Sequence, residues 1–336
     1  MSSRPLLLEV RDLQVSYPTR AGDVRAVSGI TFSVGRGERV GLVGESGSGK
    51  TATALALTGL LPDSVRTSGS IRLAGRELAG LGRRDRRKLC GSHIGMIFQN
   101  PQGSLNPAMT VGRQITEPVR LHLGLSRAAA RARAIELLSE VGMPAPARSF
   151  EEYPHRLSGG MRQRVMIAIA LSCRPELIIA DEPTTALDVT VQAQILELLA
   201  RLCAEHNSAL LVITHDLGVL AGLADRILVL YSGKILEEGP VGSIYYRARN
   251  PYTLALLATV SRIDEPLQRL RPIPGDPPSG LELLSGCVFH KRCPHAIDIC
   301  RTEVPALIPG ADPGHRCACH LAGQGNGSLP EPGARR

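Results

Sequence analysis

Tryptophan is missing from the 336 residues, and all aromatic residues together make up only 3% of them. A core without large rings must be assembled from Leu, Ile, Val and Ala. The shortage also argues against a stacking surface for nucleic acid, which needs ring faces among its basic residues. Net charge is +8, a balance that can serve nucleic acid or an anionic membrane surface. Most of the excess, however, is arginine scattered along the chain. The two local runs, Arg83-Arg84-Asp85-Arg86-Arg87-Lys88 and Arg335-Arg336, contain no aromatics. A solvated, Arg-rich surface with no nucleic-acid partner is expected. Long apolar runs are lacking too: none approaches the ~18 residues of a membrane span. Met1-Ser2-Ser3-Arg4-Pro5 does not begin like a secretory signal. The expectation is a cytoplasmic chain whose membrane role would be peripheral, through a partner. Eight cysteines in such a compartment argue against a disulfide framework. Cys90, Cys173 and Cys203 are scattered and read as buried thiols, while the other five cluster near the C-terminus.

What is present is an ordinary globular balance, 43% hydrophobic and 21% charged, long enough for one large domain and a smaller one. Its most informative stretch is Gly44-Glu45-Ser46-Gly47-Ser48-Gly49-Lys50-Thr51. This fits G-x-x-x-x-G-K-[ST], the phosphate-binding loop. The loop follows an apolar strand-like run, Glu38–Val43, and precedes a helix-like one, Ala52–Leu57. The glycines let backbone N–H groups turn toward phosphate oxygens at a helix N-terminus. Lys50 would reach the β- and γ-phosphates, and the Thr51 hydroxyl would bind Mg²⁺.

Ahead of the loop, Leu6–Val15 and Val24–Val34 read as an antiparallel pair, with a turn over 17–23. Tyr17 is a candidate stacking platform for a purine or a simple edge-strand residue. Ser68–Leu73 and Glu77 continue the strands. Ile94–Phe98 is an apolar strand that delivers Gln99, and Pro101 and Pro107 break the pattern after it. Residues 112–175 read as helical, with Ser126 capping Arg127–Val141. Leu157-Ser158-Gly159-Gly160 opens another helix, a start that can bind an anion or simply cap itself. Leu177–Ala180 reads as a buried parallel strand ending in Asp181-Glu182. Asp181 suits Mg²⁺, through its water shell, and Glu182 suits polarising an attacking water. Asp188 precedes a helix over 190–203. The strand Ala209–Ile213 then ends near His215, placed to contact a phosphate oxygen, and Ile227–Tyr231 with Gly233–Glu238 forms a closing hairpin.

In this order and rough spacing, the motifs resemble the ATP-binding subunit of ABC transporters over nearly all of residues 6–260. The LSGG run, Leu157–Gly160, is the specific part. The resemblance implies an α/β fold: a P-loop NTPase (RecA-like) core with an antiparallel β subdomain and a helical subdomain, about 100–172. It implies ATP hydrolysis with Mg²⁺, Tyr17 stacked on adenine, and Gln99 beside Mg²⁺ and the membrane subunit. It also implies Ser158, Gly159 and Gly160 closing over ATP held by a second subunit, Asp188 at the dimer interface and His215 on the γ-phosphate. Tyr153-Pro154-His155 before LSGG, Met161–Ala168 after it, and Ile273-Pro274-Gly275-Asp276-Pro277-Pro278 narrow the likeness to dipeptide/oligopeptide importers. More narrowly, they resemble the first of the two non-identical ATPase subunits there.

Implied partners are that second ATPase subunit, two membrane permease subunits and an extracytoplasmic substrate-binding protein. The implied location is the cytoplasmic face of the membrane. Nickel or another small solute is an alternative cargo. A soluble ATPase acting on ribosomes or DNA is a rival of another class. The single module and the lack of a heptad run speak against that rival.

The ATP-binding domain is expected over 5–260, a small C-terminal cysteine-rich metal-binding extension over 261–325, and a disordered tail over 326–336. Within the extension Cys287, Cys293 and Cys300 are spaced C-x5-C-x6-C, followed by Cys317-Ala318-Cys319. Such gaps suit an Fe–S cluster on four thiolates better than the close pairs of a zinc ribbon. A mixed zinc site using His290, His295, His315 or His320, and plain free thiols, remain open. The importer resemblance implies a [4Fe–4S] cluster on Cys287, Cys293, Cys300 and Cys319, with Cys317 a spare.

Overall fold

The computed structural model describes residues 4–185, 187–259, 273–282 and 285–322. The expected limits near 260 and the tail over 326–336 lie outside the described residues.

Strands β1 (Leu6–Thr19) and β2 (Gly22–Gly35) form a long hairpin. After β3 (Arg39–Val43) and α1 (Lys50–Thr58), β4 (Arg66–Leu73) and β5 (Arg76–Glu77) complete a four-stranded antiparallel sheet in the order β2-β1-β4-β5. The hairpin turn is tighter than expected: β1 continues through Tyr17 and Pro18 to Thr19. Pairing of β1 with β4 stops at Ser16. Pro18 therefore sits where β1 has only one neighbour, the place a sheet tolerates proline.

The larger sheet holds β6 (Ile94–Ile97), β7 (Leu177–Asp181), β8 (Ala209–Thr214), β9 (Arg226–Tyr231) and β10 (Lys234–Pro240) around β3. Its order is β11-β12-β10-β9-β3-β8-β7-β6, where β11 is Ile308–Pro309 and β12 is Arg316–Cys317. Strands β3, β6, β7, β8 and β9 run parallel. The closing hairpin was expected to end the sheet at Glu238. Instead β10 pairs onward with β12, Glu237 opposite Cys317. The C-terminal extension is thus stitched onto the sheet's edge.

Alternation explains why these strands are apolar throughout. On β8, Leu210 and Val212 enter the core beneath the helices, while Ala209, Leu211 and Ile213 enter the core shared with α1 and the antiparallel sheet. On β7, Ile178 and Ala180 face one way, Leu177 and Ile179 the other. A strand covered on both faces needs no polar side. Leu211 is wholly buried. Leu211→Ala is expected to lower unfolding free energy by about 2–5 kcal/mol in urea titration. A loss below about 1 kcal/mol would contradict this packing.

Between β5 and β7 lie α2 (Arg83–Leu89), α3 (Pro101–Ser104), α4 (Val111–Leu123), α5 (Arg127–Glu140), α6 (Pro146–Glu151) and α7 (Gly159–Leu171). Pro101 opens α3 at its first position, with the Asn100 side chain as cap, so here proline starts a helix. Thr110, Ser126 and Ser158 cap α4, α5 and α7 with their hydroxyls. Helices α8 (Val189–Glu205), α9 (Leu217–Leu220), α10 (Val241–Arg247), α11 (Pro251–Leu257) and α12 (Ile299–Thr302) follow, and a 3-10 turn over Pro154–Arg156 precedes α7. Among the described residues no helix is long and apolar enough to cross a membrane.

Candidate active site

Strand register brings the polar residues to one edge. Val43 lies beside Thr214, Asp181 beside Ile213, and Ile97 beside Ala180. Immediately beyond lie the phosphate loop, His215 and Glu182, and Gln99 follows β6 after Phe98. All therefore emerge at the carboxyl ends of adjacent parallel strands, where α/β sheets bind ligands.

The loop's glycines are forced by close approach. A Cβ on Gly44 would run into the Leu230 carbonyl, and one on Gly49 into the Ala26 carbonyl. Gly49 also has φ 104°, in the left-handed region that favours glycine. Lys50 is buried, and its ammonium donates to the carbonyls of Gly44 at 2.7 Å and Glu45 at 2.9 Å. Burial pushes its pKa down against the nearby charges of Glu182, Asp181 and Glu45. Tyr17 is half-buried on β1 opposite Val24, close in the hairpin to the Ala26 carbonyl that abuts Gly49.

Glu182 is the hub. Its Oε2 accepts from Gln99 Nε2 at 2.8 Å and from the Thr185 hydroxyl at 3.0 Å; Oε1 lies 3.0 Å from His215 Nδ1. Burial works to raise its pKa. The His215 and Thr185 hydrogen bonds and the charges of His215 and Lys50 outweigh that, holding the carboxyl below its usual range. Its backbone has φ 46°, a strained value for a non-glycine residue, and its N–H donates to the Ile213 carbonyl at 2.8 Å. Asp181 behaves oppositely: burial raises its pKa, partly offset by the Thr51 hydroxyl donating to it. Its Oδ1 is buried with no partner. A carboxylate oxygen left bare beside a threonine hydroxyl fits a hydrated Mg²⁺.

The signature segment stands apart from this group. Ser158 caps α7, accepting from the Met161 N–H at 3.3 Å. Helix α7 packs on α3, α4, α5, α8 and β6, while α1 packs on β1, β2, β7 and β8. A Cβ on Gly160 would press on Val191 of α8. Asp188, expected at a dimer interface, is exposed and caps α8 through the Val191 N–H at 2.9 Å. Ala186 lies outside the described residues. Thr185 was missed in the sequence, although its place in the loop after Glu182 was the signal for it.

In the extension, Cys287, Cys293, Cys300 and Cys319 line one small cavity. The Cys287 N–H donates to the Cys300 carbonyl at 2.9 Å, and the Cys293 N–H to the Phe289 carbonyl at 3.0 Å. His290, His295 and His320 border the same cavity. His315 does not: it is buried against Glu237 at 2.8 Å, which removes it from the mixed-ligand alternative. Cys317 is fully buried on β12 and outside the lining. Burial pushes the Cys287, Cys293 and Cys319 thiols up, Cys293 to about 11, and the neighbouring thiols raise each further. For the expected metal centre the structure gives this shared cavity. Among the described residues no three His, Cys, Asp or Glu side chains are set to hold a metal ion, so the metal-binding character of the extension is not shown.

Fold and site together define an ATP-binding cassette, a P-loop ATPase. The family model described as ABC transporter matches residues 27–185, and that described as oligopeptide/dipeptide transporter, C-terminal region, matches 236–300. The chain is 49% identical to the oligopeptide transport ATP-binding protein OppD of Salmonella typhimurium, over 94% of this chain and 93% of that protein. It is 47% identical to the dipeptide transport ATP-binding protein DppD of Escherichia coli, over 94% and 96%. Among solved structures, the dimeric post-hydrolysis cassette MJ0796 bound to ADP and Pi superposes with TM-score 0.64 at 28% identity, over 70% of this chain and 99% of that one. The chain belongs to the ATP-binding subunits of the oligopeptide/dipeptide ABC transporter family.

Proposed function

We propose that this chain hydrolyses ATP to power import of dipeptides or oligopeptides across the cytoplasmic membrane, from its cytoplasmic face. The carrying observation is the convergence of Gln99, Thr185 and His215 on the Glu182 carboxylate beside the phosphate loop, with the LSGG segment at the start of α7 packed elsewhere. Glu182 takes the proton of the attacking water. Gln99 and His215 fix that carboxylate, and His215 contacts the γ-phosphate. Lys50 and the loop residues Gly44, Glu45, Ser46, Gly47, Ser48 and Gly49 enclose the phosphates, with the Glu45 amide itself committed to Tyr252 Oη. Thr51, Asp181 and Gln99 would hold Mg²⁺, which supplies charge neutralisation between the phosphates when bound. Tyr17 stacks on adenine. Ser158, Gly159, Gly160 and Asp188 face a second, non-identical ATPase subunit, whose own loop they complete. Two membrane permeases and an extracytoplasmic binding protein finish the assembly.

The extension carries a [4Fe–4S] cluster on Cys287, Cys293, Cys300 and Cys319. Four thiols lining one cavity, at C-x5-C-x6-C spacing rather than in the close pairs of a zinc ribbon, support this reading.

In membranes reconstituted with the two permeases and the partner ATPase, a peptide presented by the binding protein is expected to raise ATP hydrolysis several-fold. Stimulation by nickel and not by peptide would replace the cargo assignment.

A further inference from the structure

Between the phosphate loop and the cysteine cavity lies a side-chain cluster that neither site accounts for. Arg292 belongs to the extension, one residue before Cys293, and its side chain is 5% exposed. Its guanidinium grips both carboxylate oxygens of Glu45. Nη1 donates to Oε2 at 2.6 Å and Nη2 to Oε1 at 3.1 Å. The remaining donors are also engaged: Nη1 with Tyr231 Oη at 3.2 Å, Nε with the Pro274 carbonyl at 2.9 Å, and Nη2 with the Ile273 carbonyl at 3.2 Å. A fork this fully bonded is rigid.

Glu45 is held at three points. Its N–H donates to Tyr252 Oη at 2.9 Å, its carbonyl accepts from Lys50, and its carboxylate is taken by Arg292. Phe289 of the extension packs on both Tyr231 and Tyr252, with ring centroids 5.2 Å apart in each pair. Phe289 also lines the cysteine cavity. Without Arg292, a partly buried carboxylate would stand uncompensated at the second position of a loop that must accept a triphosphate.

We infer that Arg292 is a positioning residue of the nucleotide site: it fixes the loop's Glu45 and neutralises a charge that would otherwise repel ATP. It touches no phosphate itself. The inference needs only the ATP site, whether or not the cysteine cavity is filled.

The test is equilibrium ATP binding, by displacement of a fluorescent nucleotide, and steady-state turnover on the full chain with its partner subunit. Arg292→Ala is expected to weaken ATP binding about tenfold and to raise KM, with kcat held within about threefold. Adding Glu45→Gln to Arg292→Ala removes the stranded charge and should restore most of the affinity. Arg292→Lys, which keeps charge but not the fork, should fall between wild type and Arg292→Ala. If Arg292→Ala does not fold, Arg292→Met, which keeps the length of the side chain without its charge, carries the same test with and without Glu45→Gln. Unchanged affinity in the Arg292 variants would overturn the assignment. So would a double variant that binds no better than the single one.

Discussion

Glu182→Gln is expected to lower ATP turnover by about 10²–10⁴-fold while ATP binding stays near wild type. The substitution keeps the side chain's size and its reach toward Gln99, Thr185 and His215, the three groups gathered on the carboxylate. It removes the negative charge that accepts a proton. Lys50, Thr51 and the loop glycines, which carry the phosphates, are untouched. Phosphate release under saturating ATP, paired with a nucleotide binding isotherm, separates the two effects. Turnover above about one-tenth of wild type would take Glu182 out of the base role. Loss of binding in parallel with turnover would make it a structural support of the loop instead.

The second large effect is in the extension. Cys287→Ser, Cys293→Ser, Cys300→Ser and Cys319→Ser are each expected to drop iron from about four per chain to below one. Cys317→Ser should keep full iron. The division follows the walls of the cavity: four thiols line it, and Cys317 is instead paired across the sheet edge with Glu237. Anaerobic purification with iron, acid-labile sulfide and zinc analysis reads the result. Full iron in Cys287→Ser would break the ligand assignment. One zinc and no sulfide in the wild-type chain would replace the cluster altogether.

The parts of the site legible in the sequence are those whose chemistry is local. Gly44–Thr51 announces itself because a phosphate loop needs its glycines and its Lys-Thr within eight consecutive residues. Asp181-Glu182 and His215 were legible because short apolar strands end just before them. The parallel register then carries them to one edge. Asp188 was singled out only through the family resemblance, at a dimer interface, and its capping bond to the Val191 N–H appears only once α8 has a defined start. Arg292 left no local trace: its partner Glu45 lies 247 positions away, and only the docking of the extension makes them neighbours. The attachment of that extension was likewise hidden. Pairing of β12 with β10 covers two residues on each strand, too little for periodicity to show. Tyr17 illustrates a different limit. The strand through Pro18 depends on where β4 stops, which the hairpin's own residues do not encode.

The central claim is that this chain holds half of an ATP site and another ATPase subunit supplies the rest. Helix α7 with its Ser158 cap packs on α3, α4, α5, α8 and β6, and Ser158 and Gly159 are exposed, as the proposed contact with a partner's loop requires. Light scattering of the Glu182→Gln chain mixed with its partner ATPase subunit, with and without ATP, tests this most directly. The account predicts an ATP-dependent one-to-one complex that Ser158→Arg weakens. A monomeric mixture in saturating ATP, alongside full nucleotide binding, would contradict it.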